Sequence, residues 1–139
     1  MKKLMLLVTI ALIIFTTSCK EEKESTQMKQ VIALHDEAMP KMGQLGKLVG
    51  ELKGMENDST EIGKQYMESR MDLQDANKAM MDWMQDFGSR FTPDEIMKGA
   101  KLSGQKQQWL DEEEEKVRAV GEHINSSIEN AQNLLGKEY

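Results

Sequence analysis

Apolar residues recur at intervals of three and four along almost the whole chain beyond residue 26, and strand-like alternation is absent. That spacing places them on one stripe of an α-helix and gives a sheet nothing to bury. Only two prolines interrupt the 139 residues. The expected fold is therefore all-α.

Three stripes can be traced. The first helix should run from about Thr26 to Lys53, with Val31, Leu34, Ala38, Leu45, Leu48 and Leu52 on its buried side. Pro40 should kink it, because the ring removes a backbone donor and crowds the preceding turn. Gly43, Gly46, Gly50 and Gly54 each cost about 1 kcal/mol relative to alanine in a helix, which points either to close helix contact or to a poorly optimised helix end. Asn57, Asp58, Ser59 and Thr60 form a turn, and Ser59 or Thr60 should cap the second helix. Its stripe is Ile62, Tyr66, Leu73, Ala76, Met80, Trp83 and Phe87, and it should end near Gly88.

The segment T-P-D-E at 92–95 combines a capping threonine, a proline at the first helical position and a glutamate three residues after the cap. A short helix is expected from Pro93 to about Lys98, then a break near Gly99. A long helix from about Ser103 to Leu135 carries Leu110, Val117, Val120, Ile124, Ile128, Ala131 and Leu134. Three stripes joined by short loops predict an up-down-up three-helix bundle with a short extra helix before the long third one.

The first 19 residues have a different character. Lys2 and Lys3 precede an apolar run from Leu4 to Phe15, broken only by Thr9, and the small residues Thr16, Thr17 and Ser18 lead to Cys19. About a dozen apolar residues are too few for a spanning helix, which needs about 20, so the run reads as a removable export signal. Cys19 is the only cysteine and cannot form an intramolecular disulfide. The segment F-T-T-S-C resembles the lipobox of bacterial lipoproteins, with Thr16 where leucine is commonest. The resemblance implies that Cys19 is acylated after cleavage before it. Residues 20–24, K-E-E-K-E, make a polar tether. C-K-E-E is similar to the surface-export signal of Bacteroidetes lipoproteins, and a plain solvated spacer accounts for it equally. The expected organisation is a leader over 1–18, a lipidated cysteine with its tether over 19–27, and a helical bundle over 28–136. This places the protein in the cell envelope, lipid-anchored at the outer membrane, on its periplasmic or its cell-surface side.

Loss of Lys2 and Lys3 with the leader leaves 16 basic against 24 acidic side chains, a net charge near −8. Such acidity disfavours nucleic acid and electrostatic adsorption to anionic lipid, both polyanionic. No zinc-protease motif, phosphate-binding glycine loop or nucleophile elbow occurs, so a non-enzymatic role is expected. Asp111 to Glu115 form an acidic run read as a solvated face, with Glu112 pairing Lys116 and Glu114 pairing Arg118. Met67, Met71 and Met81 fall off the stripe, where soft side chains can meet a partner or the short helix.

One constellation carries more specific chemistry. His35, Met39 and Met42 lie at i, i+4 and i+7, and imidazole with thioether suits cuprous copper. His123, or Met80, Met81 and Met84, could complete such a site. Haem attachment lacks its C-x-x-C-H motif.

Taken together, H-D-E-A-M-P-K-M at 35–42, D-L-Q-D-A-N-K-A-M-M-D-W-M at 72–84 and W-L-D-E-E-E-E-K-V at 109–117 resemble a group of small helical lipoproteins of Bacteroidetes, chiefly flavobacteria. The group often carries the label viral A-type inclusion protein. The resemblance covers most of residues 28–135 and implies long-helix architecture, with no catalytic or binding residues to carry over. The expected function is a membrane-anchored helical module that binds another envelope component or itself, with copper binding through His35, Met39 and Met42 as the alternative.

Overall fold

A computed structural model describes residues 26–136. Cys19 and the expected leader over 1–18 lie outside the described residues. Helix α1 covers 26–38, α2 Lys41–Lys53, α3 Glu61–Arg90, α4 Pro93–Lys98 and α5 Gly104–Leu134. The described residues are helical throughout apart from connecting turns. No helix among them is long and apolar enough to cross a membrane.

Pro40 divides the first helix rather than bending it. Met39 N still donates to the His35 carbonyl at 3.0 Å. A two-residue turn follows, and α2 restarts with Pro40 at its N-cap, φ −59° and ψ −26°. Near-helical dihedrals keep the two stripes in line. Val31 and Ala38 on α1 join Leu45, Leu48 and Leu52 on α2 in one core. Thr26 and Gln27 are already helical. Gln27 donates to Asp111 and Glu114 at 2.9 Å and accepts from Gln107 at 2.7 Å, tying the start of α1 to α5.

Thr60 caps α3, its hydroxyl accepting from Gly63 N at 3.1 Å. Gly63 is buried where the 54–60 turn folds back. A Cβ there would lie 2.3 Å from the Asn57 carbonyl oxygen, and backbone on both sides cannot yield cheaply. Gly63→Ala is expected to cost about 1–3 kcal/mol by overpacking, read as a lowered urea midpoint at unchanged slope. Because the turn covers this first helical turn at Gly63, Ile62 is exposed, correcting its assignment to the stripe. Tyr66 is half-buried against the core.

Helix α3 continues past Gly88 to Arg90. Continuation carries Phe91 into the core, where Trp83, Phe87 and Phe91 form a ladder with ring centroids 4.9 Å apart at each step. Thr92 and Glu95 make the reciprocal capping box, Gly99 ends α4 at φ 65°, and Ser103 caps α5. The core clusters Leu73, Ala76 and Met80 of α3 with Leu110, Val117, Ile124 and Ala131 of α5. Each fully buried large apolar side chain contributes about 1.5–3 kcal/mol.

The α2 glycines are not contact points. A Cβ at Gly43, Gly46 or Gly50 meets nothing within 4 Å. Replacing all three with alanine is expected to stabilise by about 0.4–1 kcal/mol at each position, because the unfolded chain loses freedom. Thermal melts should show an additive rise.

Candidate functional site

The acidic run on α5 is not uniformly solvated. Glu113 falls between Leu110 and Val117 on the buried stripe and is 0% exposed. Its Oε1 lies 3.0 Å from both Arg90 Nη1 and Lys116 Nζ, while Oε2 has no partner. Arg90 also reaches Glu112 at 2.7 Å and lies 5.5 Å over the Trp109 ring. The hydrogen-bonded Glu112 carboxylate, against the opposing effect of burial, and the charge of Glu113 raise the Arg90 pKa. Lys116 therefore bonds Glu113 instead of the expected Glu112, whereas Glu114 pairs with Arg118 at 3.1 Å. The three-and-four register at 110, 113 and 117 was the available signal for Glu113.

His123 and Asp72 meet across α5 and α3, Nε2 to Oδ1 at 2.9 Å, and Ser127 Oγ donates to Asp72 Oδ2 at 2.5 Å. Serine, histidine and aspartate are all present here, but in the wrong order for nucleophilic catalysis. Both Ser127 and His123 bond the carboxylate, so no imidazole is placed to take the serine proton. Burial pushes the Asp72 carboxyl upward, yet the hydrogen bonds from Ser127 and His123 and the coulombic effect of His123 outweigh it, leaving the pKa below its ordinary value. A depressed carboxyl contributes stability that is complete above its unfolded pKa of about 3.9 and is lost as pH falls through the folded value. The stability gap between the native chain and Asp72→Asn should close as pH falls below the ordinary carboxylate range, as urea titrations at each pH would show.

Hollows open on the surface of the described residues. One of about 210 Å³ lies between α1–α2 and α5 and is lined by Leu34, Lys41, Arg118 and Gly121 among others. That is below the 300–1,000 Å³ typical of small-molecule sites. Another is an open trough with Glu68, Ser69, Asp72 and Asn130 on its walls.

The expected copper ligands are distributed unevenly. Met39 is 38% exposed and Met42 is half-buried against the core. His35 instead meets α3: its Nε2 lies 3.4 Å from Met84 Sδ, and its ring stacks on Trp83 with centroids 5.6 Å apart. Its Nδ1 lies 2.9 Å from Asp36 Oδ1. Met80 is fully buried and Met81 exposed, and His123 is engaged with Asp72. Among the described residues, no three histidine, cysteine, aspartate or glutamate side chains gather as metal ligands would. No family model, curated protein or solved structure matches the chain.

Proposed function

We propose that the chain is a lipid-anchored envelope protein whose helical domain works without catalysis, binding another envelope component or a second copy of itself. The observation that carries this reading is Cys19, the sole cysteine, directly behind a short basic-apolar leader. Acyl chains contribute about 0.8 kcal/mol per buried methylene, so a multiply acylated cysteine would hold the domain at the membrane durably.

The reading includes an up-down-up arrangement of α1–α2, α3 and α5. Cross-helix contacts support it. Glu56 pairs with Arg70 while His35 meets Met84, and Asp72 meets His123 while Arg90 meets Glu113. Along each of these pairs one chain number rises as the other falls.

Helical structure present by residue 26 shortens the tether to residues 19–25, about 23 Å when fully extended at about 3.3 Å per residue. A partner must then lie close to the membrane. Exposed Met71 and Met81 on α3 are adaptable contact residues for it.

Fractionation of the native host tests the anchor, with Cys19→Ala expected to move the chain from membranes to the soluble fraction. Equal membrane recovery of both forms would refute the anchor. Crosslinking from Met71 and Met81 in detergent extracts tests binding. Recovery of the lone monomer only, with no self-association on sedimentation, would refute that half of the reading.

A further inference from the structure

We propose that His35 and Met84 form a binding site for a soft monovalent cation, copper(I), at the crossing of α1 and α3. The argument starts from the proton count. With His35 Nδ1–H donating to Asp36 Oδ1, 2.9 Å away, the ring proton of the neutral imidazole sits on Nδ1. In the neutral imidazole, Nε2 then bears a lone pair, and that lone pair faces Met84 Sδ at 3.4 Å. A thioether has no proton to give. Two soft donors 49 residues apart in the chain, on α1 and α3, therefore face one another with no proton between them.

A second ring proton would relieve this contact, and so would a cation accepting both lone pairs. Ligand chemistry and geometry favour the cation. Imidazole and thioether together suit copper(I) over hard ions. At 3.4 Å the two donor atoms are close enough for one ion to bond both once the imidazole turns off the direct line to Sδ. Asp36 behind Nδ1 is the outer-shell carboxylate that metal-ligating histidines characteristically have. The Trp83 ring stacked on the same imidazole holds it in place beside Met84. The His35 side chain is 21% exposed, leaving a route in from solvent. The ligand pair differs from the i, i+4, i+7 set because the second donor comes from another helix, and it does not depend on the anchor.

The test is an anaerobic titration of the purified full-length protein with copper(I) held by a chromophoric chelator, repeated with redox-inert silver(I). One equivalent should be withdrawn, with the Met84 methyl resonance shifting in step. Met84→Leu and His35→Phe should each weaken binding about tenfold or more, and Asp36→Asn about 10- to 100-fold. Met97→Leu, an exposed thioether on α4, should leave it unchanged. The proposal is overturned by no withdrawal from the chelator, by an unshifted Met84 methyl, or by full affinity in Met84→Leu. Zinc binding as tight as copper(I) and indifferent to Met84→Leu would overturn it as well. Because the methyl shift is read on the native chain, a variant that fails to fold does not stop the experiment.

Discussion

Arg90→Ala should lower the unfolding free energy by about 3 kcal/mol, the low end of the 3–5 kcal/mol expected when one partner of a buried ion pair is removed, whereas Glu113→Leu should cost little or even stabilise. The asymmetry comes from what each change leaves behind. Without Arg90, the Glu113 carboxylate stays fully buried with only Lys116 beside it and an Oε2 that already lacks a partner. Loss of the guanidinium from the Trp109 face adds about 0.5–1 kcal/mol. Without Glu113, by contrast, no charge is stranded. Arg90 keeps Glu112 at 2.7 Å, Lys116 is 45% exposed and returns to solvent, and leucine extends the stripe between Leu110 and Val117. Arg90 is itself partly exposed, hence the low end of the range. In thermal melts the Arg90→Ala loss corresponds to about 10–15 °C for a domain of this size. The double variant Arg90→Ala/Glu113→Leu should recover most of it. If the double variant is as unstable as Arg90→Ala, the stranded charge is not the cause.

The helices were legible in the sequence because their signals are local. Stripe spacing, the T-P-D-E box and the Thr60 and Gly99 boundaries depend on residues a few positions apart, and each is found where the local chemistry places it. What escaped depends on how separate helices register. Glu113 looked solvated because it sits among five acids, although its position between Leu110 and Val117 is a core position. Only its cross-helix neighbour Arg90 makes burial tolerable. Met84 as the partner of His35 was one candidate among several, since nothing in either helix alone fixes which turn of α3 faces α1. Gly63 was silent for a related reason. A helical glycine looks like a flaw until the turn over Asn57 is seen packed against it, whereas Gly43, Gly46 and Gly50, which looked equally flawed, are open to solvent.

Trp83→Ala is expected to cost about 3–5 kcal/mol, as deletion of a buried aromatic side chain generally does, and to disturb all three long packing partners at once. The indole is 5% exposed, stacks on Phe87 along α3 and on His35 of α1, and donates Nε1–H to the Glu113 carbonyl of α5 at 3.2 Å. Two components can be separated. Trp83→Phe keeps a ring beside Phe87 and His35 but loses the donor. The Glu113 carbonyl lies inside α5, where a helical carbonyl already accepts a backbone bond, so its loss should cost only about 0.5–1.5 kcal/mol plus the smaller ring's cavity. A large gap between the alanine and phenylalanine variants in denaturant unfolding therefore assigns the stabilisation to ring packing, and near equality assigns it to the hydrogen bond. The same pair bears on the cation site. Phenylalanine retains a π face for the imidazole, so Trp83→Phe should hold His35 against Met84, whereas alanine removes the surface on which that imidazole rests. The seat of His35 at the crossing of α1 and α3 thus rests on the Trp83 ring.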